Sequence, residues 1–321
     1  MLRLGPLTTD AYVRDVLPES APLWAGERTF AEYADELRTA AGSAWGRRRF
    51  RTFGLWVDEQ LVASCKRYDR TLRCGTRRFR AAGIGAVFTP PALRGRGYAT
   101  ALLGALLDAE RAQGTDFAFL FSDIGATFYE QLGFVALPSR AFTLRADTLG
   151  GERIPIAPLG PVDEGAMRRV FDALEDRRTY AFVRAPLDWE WQRLRASSRE
   201  HAGQPVRLGL RRGRSLVAYV SGRRVPAADA FVVDEFAYAG DDDAAALGPL
   251  IRAAAGDLRK VTGWLPPAPA RAALPRGAVR ARRDALAMAI PLSVSFAAAW
   301  RTALPRLLSD GADPCWAADH L

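Results

Sequence analysis

Apolar positions in the first part of the chain alternate between the period of a helix and that of a strand. Helical spacing predicts helices at 11–17, 30–41, 98–113 and 125–132. Strand spacing, or a short apolar run between turn residues, predicts strands at 52–57, 61–65, 84–89, 116–121 and 134–136. The order is that of a mixed α/β domain, with strands mainly first and strand–helix alternation after Ile84.

The second half repeats this order after a glycine- and proline-rich segment at 150–161, which predicts a linker. Helices are expected at 162–174, 189–197, 244–259 and 296–308. Strands are expected at 206–210, 215–222, 230–239, 260–265 and 285–292. Because both halves follow the order strand, strand, helix, strand, helix, strand, we predict two tandem α/β domains, 1–145 and 146–321.

The composition is that of a soluble globular protein, with 49% hydrophobic and 25% charged residues among 321. No secretory segment follows Met1, and the longest apolar stretch is broken by Pro291, so we expect a cytoplasmic protein without a membrane partner. The net charge of +9 rests on arginine, since Lys66 and Lys260 are the only lysines. We interpret it as a compositional bias and expect no nucleic-acid partner.

Cysteine and histidine are too sparse for a disulfide framework or a metal site. Cys65 and Cys74 are expected as small core residues, although they could also face each other across a hairpin. The two histidines, His201 and His320, are far apart in the sequence. We therefore expect a protein without a bound metal.

A glycine-rich turn, Arg94-Gly95-Arg96-Gly97-Tyr98-Ala99, joins the strand at 84–89 to the helix that starts at Tyr98. Such a turn aims backbone N–H groups and the positive end of a helix dipole at one point, which suits a phosphate group. Glycine at 95 and 97 lets the backbone adopt left-handed conformations and approach a ligand closely. The sequence thus predicts a phosphate-bearing ligand at this turn.

Four elements in this region resemble the GCN5-related N-acetyltransferase (GNAT) family. Arg94, Gly97 and Ala99 match the family's pyrophosphate loop, Arg/Gln-x-x-Gly-x-Gly/Ala. The remaining three elements are Val87-Phe88-Thr89 before the loop, Phe119-Leu120-Phe121-Ser122-Asp123 on the next strand, and Phe128-Tyr129-Glu130-Gln131-Leu132-Gly133-Phe134. The resemblance covers about residues 50 to 137.

The resemblance implies acetyl-CoA as acyl donor, with the pyrophosphate at the loop and pantetheine along the strand edge. The residues that would hold the cofactor are Val87, Phe88, Thr89, Arg94, Gly95, Arg96, Gly97, Tyr98, Ala99, Thr100, Ser122 and Asp123. A backbone N–H near Val87 or Phe88 would polarise the thioester carbonyl. In this family a tyrosine at the position of Tyr129 acts as general acid and protonates the departing thiolate.

Within the family, the duplicated architecture resembles the Eis-like acetyltransferases, whose second GNAT-like domain is degenerate. This chain departs from them in having too few residues after Leu292 for their third, sterol-carrier-like domain. The second half also lacks a glycine-rich loop, because Asp241-Asp242-Asp243 stands where one is expected and would repel a pyrophosphate. We therefore predict one cofactor site per chain, and the large assemblies of Eis-like proteins make a homo-oligomer reasonable.

The general base is not defined by the strand at 84–89, which has no carboxylate. In Eis-like enzymes the terminal carboxylate enters the active site, and here that group belongs to Leu321. Asp319 and His320 are further candidates. Apolar Trp316 and Leu321 indicate a docked tail, which would be either catalytic or inert.

The function predicted from this resemblance is acetyl transfer to a primary amine of a small molecule or peptide, including aminoglycoside-like or lysine amines. Asp234-Glu235 and 241–243 would form an acidic cleft for a cationic acceptor if they faced the site, or else a solvated acidic turn. Two alternatives stay open: a non-catalytic acyl-CoA-binding or regulatory protein, and another tandem acyltransferase. Mycothiol synthases keep a functional loop in the second half, and tRNA-dependent aminoacyltransferases lack the first-half loop.

Overall fold

The computed structural model describes residues 1–150, 154–198 and 200–321. Its strands are β1 (Leu2–Leu7), β2 (Phe50–Val57), β3 (Gln60–Cys74), β4 (Arg77–Phe88), β5 (Phe117–Ser122), β6 (Val135–Ala136), β7 (Arg140–Arg145), β8 (Ile156–Pro158), β9 (Tyr180–Phe182), β10 (Gln204–Arg212), β11 (Ser215–Val225), β12 (Ala230–Tyr238), β13 (Lys260–Trp264), β14 (Ala278–Ala281) and β15 (Leu286–Pro291). Its helices are α1 (Thr9–Asp15), α2 (Leu17–Trp24), α3 (Phe30–Gly42), α4 (Ala44–Arg49), α5 (Tyr98–Ala112), α6 (Thr127–Glu130), α7 (Glu164–Glu175), α8 (Pro186–Ser198), α9 (Leu247–Ala255) and α10 (Val294–Asp310).

The strands form two mixed sheets, which confirms the α/β fold class with tandem GNAT-like units. The first sheet has the order β1-β2-β3-β4-β5-β15-β6, with β9 paired to β3, and the second has the order β14-β7-β13-β12-β11-β10-β8. Among the strands that the structure describes, each sheet has one parallel neighbouring pair, β4 with β5 in the first and β12 with β13 in the second. Each parallel pair is joined through a helix, α5 or α9, so the two units share one plan.

The two sheets exchange strands across residue 145. Strand β7 belongs to the first half of the sequence but pairs with β13 in the second sheet, while β15 from the second half lies between β5 and β6 in the first. The predicted functional division into 1–145 and 146–321 stays a prediction. Each half of the sequence thus contributes at least one strand to the sheet that is formed mainly by the other half.

Several elements lie outside the sequence prediction. The helix expected at 11–17 is two short helices, α1 and α2, with Pro18 near the start of the second. The strand expected at 61–65 continues to Cys74, and the strand expected from Ile84 begins at Arg77, so β3 and β4 form one long hairpin. Cys65 and Cys74 lie on the same strand and are free, so they do not face each other across a hairpin.

Helix α5 covers one face of the first sheet. Leu102, Leu103 and Leu106 are fully buried against it. At the other end of the helix, the buried carboxylate of Glu110 receives two hydrogen bonds from Arg67 of β3, at 2.9 and 2.8 Å. Such a bidentate pair fixes orientation as well as distance, so the helix start is held in place relative to the sheet.

The opposite face of the first sheet is covered by α1–α4, α8 and α10. The centre of this layer is aromatic, with the rings of Trp45 and Trp191 stacked 4.2 Å apart and Tyr68 beside them. Because Trp191 lies on α8, residues from the second half complete this layer. None of the described helices has the length and apolar character needed to cross a membrane.

Candidate active site

Strands β4 and β5 separate at their carboxyl ends. Their parallel pairing runs from Ala81 opposite Phe117 to Ile84 opposite Leu120, although β4 itself continues to Phe88. Beyond Ile84 the register of β4 against β3 shifts, and Ala86 has a φ of 46°. This is a β-bulge, which bends its strand and increases its twist. The end of β4, where Val87 and Phe88 lie, is left as a backbone edge beside a gap.

The glycine-rich turn follows directly after this edge. Gly95 and Gly97 have φ values of 76° and 79°, and a Cβ at either position would meet nothing within 4 Å. Glycine is therefore favoured here because the backbone is left-handed, and not because a side chain would clash with neighbouring atoms of the protein. Arg94 turns back and donates from Nε to the carbonyl of Thr89 at 3.2 Å, while the segment from Arg94 to Gly97 is exposed.

Helix α5 begins at Tyr98, with Gly97 as its N-cap and no side chain capping its first N–H groups. The N–H groups of the first turn, including those of Ala99 and Thr100, have no intrahelical partner by the geometry of an α-helix. They point toward the gap end of the sheet along the helix axis. The turn thus presents uncapped donors and a positive dipole end, as the sequence predicts.

Ser122 and Asp123 lie at the end of β5, across the gap from β4. Ser122 is buried, and its hydroxyl donates to the carbonyl of Gly125 at 2.5 Å and accepts from the N–H of Ile124. Asp123 is exposed and accepts a hydrogen bond from the N–H of Ala285 at 2.8 Å. The Ser122 hydroxyl therefore stabilises the turn that leads into α6. Of these two residues, Asp123 is the one whose side chain is exposed to solvent.

Tyr129 lies on α6, packed edge-on against Phe128 and Phe134 and 7% exposed. Its backbone carbonyl accepts from the N–H groups of Leu132 and Phe134, so the tight turn after α6 fixes its position. Burial, with the negative charge of Asp123 as a smaller cause, raises the pKa of Tyr129 to about 12. The phenol is consequently protonated at neutral pH and is a hydrogen-bond donor.

The C-terminal tail is docked, as Trp316 and Leu321 predicted. Trp316 is buried and donates from Nε1 to Glu175 at 2.9 Å. Asp319 is buried between two guanidinium groups, those of Arg70 at 2.7 Å and Arg184 at 3.1 Å. Burial opposes ionisation of Asp319, but the two arginines hold its pKa below the usual range. Asp319 is thus an anchor of the tail and is unsuited to act as a base.

Leu321 reaches under β4 beside the gap. A Cβ built on Gly83 would lie 2.7 Å from Leu321 Cδ1, and one on Gly85 would lie 3.7 Å from Leu321 Cβ. The glycines in this part of β4 therefore make room for the end of the tail. The ring of His320 packs edge-on against Phe121 at 4.9 Å, at the end of β5.

A cavity of about 740 Å³ opens on the face of the sheet opposite α5. Its walls come from α2, α3, α4, α8, the middle of β3 and β4, and the tail, and the residues at the sheet and tail side are Lys66, Tyr68, Ile84, Gly85, Ala86, Phe121, Asp123, His320 and Leu321. The cavity therefore reaches the bulge at Ala86, where the gap between β4 and β5 begins.

The acidic segments of the second half do not line this cavity. Glu235 is buried and accepts from Arg184 and from the Tyr219 hydroxyl at 2.6 and 2.7 Å. The acidic cluster 241–243 begins the helical segment after β12, where Asp243 accepts from the N–H of Gly240. These residues do not form the acidic cleft, and four of them are paired with arginines within the second unit: Asp234, Glu235, Asp241 and Asp243. The acidic cluster 241–243 occupies the place that the glycine-rich turn has in the first unit.

Apart from Asp123, His320 and Leu321, sequence reasoning missed the side chains that line the large cavity, since they come from helices and a strand that lie far apart in the sequence. Glu32, Tyr33 and Glu36 come from α3, while Trp191 comes from α8. One signal was available: Lys66 is one of only two lysines in a chain rich in arginine.

Comparison with known proteins assigns this geometry to a family. Residues 18–136 match the model of the acetyltransferase (GNAT) domain. A lysine acetyltransferase from Yarrowia lipolytica is 24% identical over 172 residues, which is 46% of this chain and 44% of that relative. The chain thus matches less than half the length of this curated relative.

Solved structures extend the likeness to nearly the whole chain. A probable N-acyltransferase from Enterococcus faecalis V583 has a TM-score of 0.74 at 17% identity, over 92% of this chain and 74% of that one. Eis1 from Mycobacterium abscessus has a TM-score of 0.61 at 18% identity, over 93% of this chain and 76% of that one. At such identities the likeness shows the fold.

Residues 18–136, which contain the bulge, the gap and the glycine-rich turn, therefore match an acetyltransferase (GNAT) domain. The chain as a whole has a fold similar to that of Eis1 and to that of a tandem GNAT protein from the clavulanic acid biosynthesis pathway.

Proposed function

We propose that the protein transfers an acetyl group from acetyl-CoA to a primary amine in one direct step. The observation that carries the proposal is the gap between β4 and β5, which opens at Ala86 next to the uncapped start of α5 and reaches the large cavity from the other side. A cofactor lying in the gap would bring its thioester to the point where an acceptor from the cavity can attack. Holding both reactants in this geometry is a main source of rate acceleration.

The cofactor site is proposed along the edge of β4 and the turn that follows. The N–H groups of 95–100 would bind the pyrophosphate, with Arg94 and Arg96 adding positive charge. Val87, Phe88 and Thr89 would pair with the pantetheine amides from β4, and a backbone N–H of that edge would stabilise the oxyanion. From β5, Asp123 and the backbone at Ser122 would contact the pantetheine on its other side.

Tyr129 is proposed as the general acid. The amine attacks the thioester carbonyl, the tetrahedral intermediate collapses, the C–S bond breaks, and the sulfur takes a proton from the Tyr129 hydroxyl. A pKa raised to about 12 keeps that proton in place until negative charge develops on the sulfur. The attacking nitrogen, which still carries one proton more than the amide product, loses that proton to solvent, and the phenolate takes a proton from solvent.

The carboxyl group of Leu321 is proposed as the base that takes the proton of the incoming ammonium. The side chain of Leu321 is fixed under Gly83 and Gly85, and the residue lines the large cavity next to the bulge. The strand β4 offers no carboxylate in this region. The second unit, with an acidic cluster in place of the turn, is proposed to hold no cofactor and to supply the cavity wall and the tail.

The acceptor is proposed as an amine of a small molecule or peptide. One relative is named a lysine acetyltransferase, which makes a lysine-type amine a first choice among test compounds.

The experiment is thiol release from acetyl-CoA across a panel of primary amines, with wild type, Tyr129→Phe and a chain shortened by Leu321. We expect Tyr129→Phe to lower kcat by about 10²–10⁴-fold, the usual contribution of a positioned acid. The shortened chain should lose activity most strongly at low pH, where the acceptor is protonated. CoA binding without thiol release for any amine would instead favour a binding or regulatory protein, and unchanged rates in either variant would remove that residue from the mechanism.

A further inference from the structure

The large cavity contains a buried lysine. Lys66 is 8% exposed, lies in the middle of β3 and lines the cavity together with Gly85, its partner across the β3–β4 ladder. Because Gly85 immediately precedes the bulge residue Ala86, the Lys66 backbone is one strand away from the point where the gap opens.

Within the described residues, the Lys66 ammonium lies next to neutral groups. Its Nζ lies 3.4 Å from the Tyr33 hydroxyl and 5.5 Å from the ring centres of Tyr12 and Tyr33. Within the residues that the structure describes, no carboxylate forms an ion pair with it at 4.0 Å or less. The neighbouring Arg67, by contrast, has two, Asp69 and Glu110.

A buried ammonium without a counterion is unusual, since removing a charge from water costs several kcal/mol unless a partner compensates for it. Two aromatic faces provide only part of that compensation. An anion arriving from the cavity would supply the rest, and a charge-assisted bond to it would be strong because Lys66 itself is largely removed from solvent.

Three acidic side chains of the same cavity, all on α3, are engaged with other groups. Glu36 pairs with Arg28, Glu32 accepts from the N–H and hydroxyl of Thr29 in a capping box, and Asp35 pairs with Arg38. They lie on α3, away from the sheet floor where Lys66 is found. Asp123 and the terminal carboxyl group of Leu321 also line the cavity, but neither forms an ion pair with the Lys66 ammonium at 4.0 Å or less.

We propose that the acceptor carries a carboxylate as well as its amine, and that Lys66 binds this carboxylate while the amine reaches the thioester. The inference rests on the proposed acetyl transfer and adds a substrate class to it: amino acids and related amino carboxylates. One ammonium balances one negative charge, which matches a carboxylate better than a doubly charged phosphate monoester. Lys66 is accordingly a specificity residue, and the aromatic walls, including Trp45 and Trp191, enclose the carbon chain between the two charged ends.

The experiment compares ω-amino acids of three to six carbons with their primary amides, which keep the amine and the length but lose the charge. Affinity is followed through tryptophan fluorescence, because Trp45 and Trp191 line the cavity, and turnover is followed by thiol release. We expect one chain length at which the acid binds, and is acetylated, with at least about tenfold advantage in Kd and KM over its amide. The kcat of the pair should differ less than KM, since the carboxylate is remote from the reacting atoms.

Lys66→Met should abolish the difference between acid and amide, and Lys66→Arg should keep part of it. Lys260→Met is the matched control, since Lys260 is exposed on β13. This substitution should leave Kd and KM unchanged for both the acid and the amide. If Lys66→Met does not fold, the comparison of acid with amide in wild type and in Lys66→Arg still tests whether Lys66 binds the carboxylate.

Equal affinity for acids and amides in wild type, or an acid preference retained in Lys66→Met, overturns the inference. Turnover without an acid preference refutes only this inference, while acid-selective binding without turnover of any amine refutes only the proposed acetyl transfer.

Discussion

At the scale of single residues, the charges buried around the tail show how the second half is attached to the first. Arg70 belongs to β3 of the first sheet, Arg184 follows β9, and both guanidiniums meet at Asp319, two residues before Leu321. Arg184 also pairs with Glu235 of β12 at 2.6 Å. Removing one member of such a cluster leaves uncompensated buried charge, which is far more costly than losing a surface pair.

Asp319→Asn is expected to lower the free energy of unfolding by about 3–5 kcal/mol at neutral pH, because it leaves Arg70 and Arg184 without a shared counterion. The folded pKa of Asp319 is depressed. Its contribution is therefore present above the carboxyl pKa of the unfolded chain, about 4, and is lost as pH falls toward the folded value. Urea unfolding of both proteins between pH 3 and 7 measures this, and the difference should shrink below about pH 4.

Asp147→Asn is the control for this measurement, since the pair of Asp147 with Arg145 is largely exposed. It should leave the urea midpoint nearly unchanged at every pH. A pH-independent difference between wild type and Asp319→Asn would show that Asp319 acts through packing and not through its charge.

At the scale of elements, the site depends on how β4 ends and α5 begins. The bulge at Ala86 turns the end of β4 away from β5, and the left-handed residues Gly95 and Gly97 reverse the chain into the helix. The pair between Arg67 and Glu110 then holds the far end of α5 to the sheet. The orientation of the uncapped N–H groups is thus set from both ends of the helix.

Gly97→Ala is expected to weaken CoA binding by tenfold or more, because a left-handed φ of 79° is strained for alanine and relaxing it reorients the first N–H groups of α5. Isothermal titration with CoA measures the effect. Gly75→Ala is the matched control: Gly75 also has a positive φ, 58°, and open space around it, but lies at the β3–β4 hairpin turn. It should cost similar stability, roughly 1 kcal/mol, without changing the Kd for CoA. Equal losses of CoA affinity in both variants would contradict the proposed cofactor site.

At the scale of the whole molecule, the strand exchange makes each sheet depend on both halves of the sequence. Strand β15 is an inner strand of the first sheet, bonded to β5 on one side and β6 on the other, and β7 lies between β14 and β13 in the second. Without its partner half, each sheet would expose an unpaired inner edge, which promotes aggregation.

We therefore expect residues 1–145 and 146–321, expressed separately, to be insoluble or unfolded, and to form a soluble complex when expressed together. The intact chain should unfold in a single calorimetric transition, because neither sheet is complete without the other half. A soluble, cooperatively folded fragment 1–145 that binds CoA would contradict this and would establish residue 145 as a domain boundary.

Much of this architecture could be predicted from local sequence signals. The helices α3 and α5 and the strand β5 are close to the predicted bounds, because their apolar spacing is regular and turn residues flank them. Strand β7 was missed because Arg140–Arg145 is short and its pairing partners are distant in sequence. The bulge at Ala86 has no local signal either, since it depends on the register between β3 and β4.

The sequence by itself determined the tandem plan and the left-handed glycine-rich turn before α5, because glycine spacing and apolar periodicity act over a few residues. Tertiary structure alone decided that Asp319 anchors the tail, that Glu235 is buried and paired, and that Lys66 faces a cavity without a counterion. The physical reason is that the burial and the ion-pair partners of a charged side chain depend on its neighbours in space. For these residues, the neighbours come from strands and helices far apart in the chain.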